Sequence, residues 1–326
     1  MGRERRAKCL RGAPYRIAIR EKPEADDLLI FLGGGGACWS DFCFAFEAAG
    51  TEMPLMQAVN PNDPLNPFKD FSVAFLHYCD GSLFGGDVEY DDDGDGTADR
   101  FHYGLKNLSA ALDTVVKRFP EPKRVILAGA SGGGYGTIVA TFMVRAIYPQ
   151  HPLTVINDSG IGIAKGAEDV GFVKKLFSEF NAERFLPDSC TNCLENGHLT
   201  EIIGWQLAND PNLKVVPLSF LRDTIIGTLF LQIGGEAYET ALINETTRFA
   251  EQYPGRYVPF LLPGTKHTML AGDLSVFIED IPEDGPDIGG MIELGGLNAG
   301  ESDGVSISQW LQWMLENDPK WGVKLP

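Results

Sequence analysis

Residues 125–137 read VILAGASGGGYGT, an apolar run followed by a glycine-rich turn with one serine and then the start of a helix. Within this stretch, Gly129-Ala130-Ser131-Gly132-Gly133 fits G-x-S-x-G, in which a strand turns sharply into a helix and exposes a nucleophilic serine. A phosphate-binding loop is disfavoured, because no Lys-Ser or Lys-Thr pair follows the glycines. The stretch predicts an α/β fold with Ser131 as the candidate nucleophile.

The composition indicates a globular protein with a strongly acidic surface. The chain has 326 residues, of which 44% are hydrophobic, and its 27 basic against 45 acidic residues give a net charge of −18. Such a charge argues against nucleic acid as a partner, and no apolar run reaches the ~18–20 residues of a membrane span. We predict one domain over residues 1–326. Its regular alternation of strands and helices is interrupted by a helical cap insertion at about 161–223.

Six cysteines leave three interpretations open. They are Cys9, Cys38, Cys43, Cys79, Cys190 and Cys193. Cys190-x-x-Cys193 could be half of a zinc site or a redox motif, but no second ligand pair follows and its place in the chain does not suit a thioredoxin-like motif. Disulfides explain the even number most simply, which predicts a secreted or periplasmic protein. The basic first residues lack an apolar segment, so we expect no signal peptide in this sequence.

A second glycine cluster follows the first buried strand. Residues 28–32, LLIFL, form a short apolar run that suits a strand buried on both faces, and Gly33-Gly34-Gly35-Gly36 comes directly after it. Lipases and esterases place such a loop here in the chain, where its N–H groups supply part of an oxyanion hole. We therefore expect this loop to lie beside Ser131.

The remaining strands suggest the other catalytic residues. His267 follows the last predicted strand, residues 257–262, where hydrolases of this type carry the general base. For the acid, Glu236 follows a predicted strand at residues 225–233. Asp158 follows the strand at residues 153–156 and is the alternative. We favour Glu236, because it comes from the strand before the histidine strand.

An acidic segment, YDDDGDGTADR at residues 90–100, permits two interpretations. Its Asp91, Asp93, Asp95, Gly96 and Asp99 match positions 1, 3, 5, 6 and 9 of an EF-hand loop, but position 12 is His102, so a complete EF-hand is excluded. The segment is either a solvated hairpin turn or a structural calcium site formed by the four aspartates.

Taken together, the motifs resemble the pectin acetylesterase and Notum family of carboxylesterases. The matching pieces run in family order over residues 9–270: Cys9-x-x-Gly12, Gly34-Gly35-Gly36-Ala37-Cys38-Trp39, Tyr78-Cys79-Asp80-Gly81, Gly86-Asp87, His102-Tyr103-Gly104 with Asn107, GASGGGYG, Asp158-Ser159-Gly160, and Pro263-Gly264-x-x-His267. The resemblance implies an α/β-hydrolase fold with a mostly parallel sheet, helices on both faces and a Ser–acid–His triad that requires no cofactor.

The resemblance also implies individual roles. Ser131 would be the nucleophile and His267 the base, with the N–H groups of Gly35, Gly36 and Gly132 forming the oxyanion hole. The implied disulfides are Cys9–Cys79, Cys38–Cys43 and Cys190–Cys193. The chain departs from the family pattern where Glu236 and Glu239 stand in place of Asp and Gln, and where Ala37 replaces a frequent Trp.

We therefore expect a serine carboxylesterase that removes a short acyl group, acetyl in the first instance, from a polysaccharide such as pectin. Two alternatives remain. The same triad could act on a longer acyl, aromatic or polyester substrate, or the fold could bind glycans without catalysis.

Overall fold

A computed structural model of the chain describes residues 7–272 and 293–326. The strands are β1 (Ile17–Arg20), β2 (Asp27–Leu32), β3 (Gly36–Trp39), β4 (Phe42–Ala45), β5 (Ser72–Leu76), β6 (Val88–Tyr90), β7 (Arg100–His102), β8 (Arg124–Ala130), β9 (Leu153–Asp158), β10 (Leu213–Phe220), β11 (Phe260–Leu262), β12 (Glu301–Ser302) and β13 (Val305–Ser306). The helices are α1 (Gly104–Arg118), α2 (Gly132–Ile147), α3 (Phe172–Glu179), α4 (Thr200–Asn209), α5 (Gly235–Gln252) and α6 (Ile307–Glu316). Short 3₁₀ turns lie at Gly166–Glu168 and Glu183–Phe185, and a π-helix at Ile225–Phe230.

Seven strands form the central sheet, in the order β1-β5-β2-β8-β9-β10-β11. All neighbours are parallel except β1, which lies antiparallel to β5 at the edge. Because the sheet is parallel, the carboxyl ends of its central strands meet along one edge, where α/β proteins bind their ligands.

Both faces of the sheet are covered. Alternate residues of β2 point to opposite faces, so Ile30 belongs to one core cluster and Phe31 to the other. The first cluster includes Leu112 of α1 and Leu242 of α5, and the second includes Trp310 of α6. The predicted α/β-hydrolase-like sheet with helices on both faces is confirmed.

Two predictions in the second half of the chain are wrong. Residues 225–233 do not form a strand: Ile225–Phe230 is a π-helix, and its Ile226 and Phe230 line a cavity. The true strand is β10, paired with β9 and β11. Pro217 lacks an N–H and weakens the strand signal of this run. The predicted insertion at about 161–223 is therefore too long at its C-terminal end, since the sheet resumes at Leu213.

The three disulfides join the pairs that the resemblance implied: Cys9–Cys79, Cys38–Cys43 and Cys190–Cys193. The first links the chain across 70 residues, from the segment before β1 to the segment after β5. Within the described residues, no helix is long and apolar enough to cross a bilayer.

Candidate active site

Ser131 lies at the sharp turn between β8 and α2. Its backbone has φ 58° and ψ −122°, a conformation that costs a non-glycine residue about 1–3 kcal/mol. The turn is tight because a Cβ atom at Gly129 would collide with the carbonyl of Gly133. The Ser131 N–H donates to the carbonyl of Asp158 at 2.9 Å, which fixes the turn at the carboxyl end of β9.

His267 pairs with Asp223, a residue that the sequence analysis did not select. Nδ1 of His267 lies 2.8 Å from one oxygen of the Asp223 carboxylate and 3.1 Å from the other. Asp223 is fully buried, His267 is 5% exposed, and the carboxylate also accepts the N–H of Ile226 at 3.0 Å. The pair holds the ring with Nε2 free to act, because Nε2 is buried and has no hydrogen-bond partner among the described residues.

The structure places the two predicted acids elsewhere. The Glu236 side chain is 88% exposed and lies 3.9 Å from the Arg222 guanidinium. Glu236 is the second residue of α5, which follows the π-helix rather than the predicted strand. The prediction that Glu236 orients His267 is therefore corrected: the structure gives Asp223 this position.

Asp158, the alternative acid, instead secures the loop that carries His267. Its buried carboxylate accepts the N–H groups of Met269, at 2.8 and 2.9 Å, and of Leu270 at 2.8 Å. The neighbouring Ser159 hydroxyl accepts the N–H of Thr268 at 3.0 Å. Burial raises the pKa of Asp158 to about 7, although these hydrogen bonds lower it. The end of β9 thus bonds to the Ser131 turn through its backbone and to the His267 loop through its side chains.

The second glycine cluster packs against the serine turn, as expected from the sequence. A Cβ atom at Gly34 would come within 2.7 Å of the Ala130 carbonyl oxygen and 2.9 Å of Ser131 Cβ. A Cβ atom at Gly132 would lie 3.0 Å from the Gly36 carbonyl oxygen. Gly36 has φ +87°, a conformation that L-residues rarely adopt. Backbone groups of the two glycine segments therefore lie together beside Ser131.

Among the described residues, one cavity on each side adjoins this site, and no described residue lines both. The first, which we call the apolar cavity, has a volume of about 30 Å³ and is lined by Ser131 and Gly132 together with aromatic and aliphatic residues, among them Trp39, Tyr135, Phe172, Ile226 and Phe230. The second, which we call the mixed cavity, has a volume of about 310 Å³. Gly33 and Gly34 form part of its wall, and His77, Glu52 and Thr51 are its main polar residues.

The acidic segment forms a hairpin between β6 and β7, as one of its two interpretations requires. Carboxylate oxygens of Asp91, Asp93 and Asp99 lie within 4.8 Å of one another. The Asp95 carboxylate accepts the N–H of Thr97 at 2.8 Å and lies outside that group. Calcium binding by Asp91, Asp93, Asp95 and Asp99 remains a prediction, and the first two and the last are the ones that lie close together.

Asp223 carried a signal in the sequence. The run VVPLSF at residues 215–220 is apolar, and an aspartate three residues beyond a strand, followed 44 residues later by the base, fits the order Ser, acid, His. The proline in the run and the more uniformly apolar stretch that follows obscured it.

Comparison with known proteins gives the family. A model of the pectinacetylesterase family matches residues 2–200, which is more than half of the chain. The chain belongs to the pectinacetylesterase family. The matched region contains the Gly33–Gly36 cluster and Ser131, whereas Asp223 and His267 lie beyond it.

Two curated relatives come from Arabidopsis thaliana. The chain is 25% identical to pectin acetylesterase 11 over 209 residues, which is 58% of this chain and 52% of the relative. It is also 25% identical to pectin acetylesterase 7 over 182 residues, or 50% of this chain and 46% of the relative. The chain thus spans about half the length of the curated relatives that it matches.

Proposed function

We propose that this member of the pectinacetylesterase family is a serine carboxylesterase with Ser131, His267 and Asp223 as its triad. The observation that carries the proposal is the buried Asp223–His267 pair. Asp158, at the end of β9, accepts the N–H of Met269 in the loop after His267 and also the N–H of Ser131, so one strand end positions both the base and the nucleophile. A serine hydroxyl becomes a useful nucleophile only when an oriented base takes its proton, and a carboxylate on Nδ1 leaves Nε2 as that base.

In the proposed mechanism, Ser131 Oγ attacks the ester carbonyl carbon while His267 Nε2 takes the hydroxyl proton. The carbonyl π electrons move to oxygen, and the N–H groups of Gly35, Gly36 and Gly132 stabilise that oxyanion. Collapse of the intermediate breaks the bond to the alcohol oxygen, which receives the proton from His267. Water then cleaves the acyl-serine by the same steps and regenerates the enzyme.

The substrate that we propose is a short acyl ester, acetyl in the first instance, on a polysaccharide hydroxyl. The names of the matched relatives support acetyl as the acyl group and pectin as the first polymer to test. The apolar cavity beside Ser131 supports a second candidate, an ester with a longer or aromatic acyl group. The three disulfides support a secreted or periplasmic location.

The test is hydrolysis of p-nitrophenyl acetate and p-nitrophenyl octanoate by the wild type and by Ser131→Ala. We expect the wild type to turn over at least one ester, and Ser131→Ala to lose about 10³-fold or more. Acetate turned over faster than octanoate would support the short acyl group, and the reverse would support the second candidate. A wild type no faster than Ser131→Ala on both esters would overturn the proposal and favour a glycan-binding protein without catalysis.

A further inference from the structure

Asp158 is a buried carboxylate that the triad does not include, and it is bonded to the loop that follows His267. It is the last residue of β9 and is fully buried. Its two oxygens accept the Met269 N–H at 2.9 and 2.8 Å, and one of them also accepts the Leu270 N–H at 2.8 Å. Burying a carboxylate is costly even when it is hydrogen-bonded, so the charge at this strand end calls for a physical reason.

Three successive N–H groups after His267 donate to side chains at the end of β9. The Ser159 hydroxyl accepts the Thr268 N–H at 3.0 Å, and the Asp158 carboxylate accepts the next two. Successive backbone N–H groups of this kind form a site that favours an anion. The charge of Asp158 therefore matches the backbone that it holds.

The backbone at Thr268 shows why the loop needs this restraint. Thr268 has φ +59°, a left-handed conformation that a β-branched residue rarely adopts. Strain of this kind persists only where the surrounding structure enforces it. The bonds from Asp158 and Ser159 supply that enforcement, so loss of the carboxylate would let the backbone beside His267 relax.

Asp158 bonds to the two halves of the site through different groups. Its backbone carbonyl accepts the Ser131 N–H at 2.9 Å, whereas its side chain holds Met269 and Leu270. A change of the side chain therefore removes support from the base and leaves the hydrogen bond of the nucleophile in place. One variant can thus test the two halves separately.

The ionised form of Asp158 suits this task better than the protonated form. Burial raises the pKa of Asp158 to about 7, and nearby Asp223 adds to this, whereas His267 favours the ionised form; Tyr238 of α5 also lies within reach of the charge. An ionised carboxylate accepts all three bonds, but a protonated one turns an oxygen into a donor that faces N–H groups. The negative charge also favours the protonated ring of His267 that forms during the reaction.

We propose that ionised Asp158 is a positioning residue of the esterase, whose carboxylate fixes the backbone after His267 and thereby the orientation of the ring towards Ser131. This inference rests on the proposed function, because it concerns the base of the same triad. The ionised carboxylate supports turnover while its burial lowers the stability of the fold, so activity and stability respond to it in opposite directions. A carboxylate with a merely structural role would support both.

The first test compares Asp158→Asn with the wild type at pH 8, by hydrolysis of p-nitrophenyl acetate and by urea unfolding. We expect kcat to fall about 10- to 100-fold, because a small displacement of a catalytic group is costly. KM should stay within about twofold, because Asp158 bonds to the protein backbone. The urea midpoint should stay at or above that of the wild type, since Asn carries no charge to bury.

Asp80→Asn is the matched control for the loss of a buried carboxylate. Asp80 is also buried, and burial raises its pKa to about 6. Its carboxylate accepts the Ser82 N–H at 3.0 Å rather than a group of the His267 loop. We expect this variant to keep kcat within about threefold of the wild type.

The pH profile of kcat/KM separates positioning from simple support. The wild type needs both a neutral His267 and an ionised Asp158, so log kcat/KM should fall on the acid side more steeply than a single ionisation allows. In Asp158→Asn the acid limb should follow a single ionisation and lie at lower pH, because the charge that favours the protonated ring is gone. Ser159→Ala removes an acceptor without changing the charge, and should lower kcat about three- to tenfold with the wild-type acid limb.

Amide hydrogen exchange gives a readout that does not depend on turnover. In Asp158→Asn the N–H groups of Met269 and Leu270 should exchange about tenfold faster than in the wild type. The Ser131 N–H should keep its rate, because its acceptor is the unchanged backbone carbonyl. A general loss of stability would instead speed the exchange of all three.

Three results would overturn the inference: folded Asp158→Asn with kcat within about threefold of the wild type, a joint fall of kcat and urea midpoint with an unchanged acid limb, or an equal loss of activity in Asp80→Asn. Failure of the proposed function would differ. The wild type would then be no faster than Ser131→Ala on either p-nitrophenyl ester, while the exchange of Met269 and Leu270 would still report whether Asp158 holds the loop.

Discussion

Replacing Asp223 by Asn tests the residue that the structure, rather than the sequence, assigns as the triad acid. The carboxylate lies 2.8 and 3.1 Å from Nδ1 of His267 and is fully buried, so it fixes the tautomer with the proton on Nδ1. An Asn amide can donate to Nδ1 instead, which places the proton on Nε2. A ring protonated at Nε2 cannot take the proton of Ser131.

We expect a large fall in kcat, because the carboxylate acts on His267 in the transition state in two ways. The variant would lose the orientation of His267 and the charge that stabilises its protonated form. Together these are worth about 10³- to 10⁴-fold in kcat, or roughly 4–5.5 kcal/mol. KM for p-nitrophenyl acetate should change little, since Asp223 contacts His267 and the Ile226 N–H.

The assay is steady-state hydrolysis of p-nitrophenyl acetate, with thermal unfolding to show that the variant is folded. Glu236→Gln is the matched control. Because the Glu236 side chain is exposed, we expect this variant to keep kcat within about twofold of the wild type. Asp223 is not the triad acid if folded Asp223→Asn keeps more than a tenth of wild-type kcat, or if Glu236→Gln loses as much activity.

Three further predictions concern the framework of the site. Because burial raises the pKa of Asp158 to about 7, its ionisation destabilises the fold: the stability present below pH ~4 is lost as pH rises through 7, by up to about 4 kcal/mol. Urea unfolding at pH 4 and pH 9 should therefore show that the free energy of unfolding falls between these pH values by more in the wild type than in Asp158→Asn. An equal fall in the two proteins would contradict this prediction. Removing the Cys9–Cys79 disulfide by a double Ser substitution should lower the free energy of unfolding by about 4 kcal/mol; a loss below 1 kcal/mol would contradict the chain-entropy argument. Gly34→Ala should lower kcat for p-nitrophenyl acetate at least about tenfold, because its Cβ atom would press on Ser131 Cβ and the Ala130 carbonyl, and unchanged kcat would show that this contact is dispensable.

Local patterns in the sequence predicted the features that local sterics determine. The turn at Ser131 needs glycine at positions where a Cβ atom would collide with neighbouring backbone, and this requirement is visible in the residues themselves. The disulfide pairing, in contrast, came from the family resemblance, because six cysteines permit 15 connectivities.

The triad acid could not be assigned from local patterns, since its position depends on which apolar run joins the sheet. Residues 225–233 are more uniformly apolar than β10, yet three of them line the apolar cavity, and a run that contains Pro217 forms the strand instead. Asp158 was chosen as the alternative acid for a related reason. It stands at a strand end beside the site, but its carboxylate holds the backbone of Met269 and Leu270 rather than the His267 ring.

The most direct test of the proposed triad is covalent labelling by diethyl p-nitrophenyl phosphate, which phosphorylates an activated serine. We expect one equivalent of p-nitrophenol to be released, esterase activity to fall in proportion, and mass spectrometry to locate the diethylphosphoryl group on Ser131. Asp223→Asn should react far more slowly. A label on another residue, or full activity in the labelled protein, would contradict the central claim that Ser131 is a nucleophile activated by His267 and Asp223.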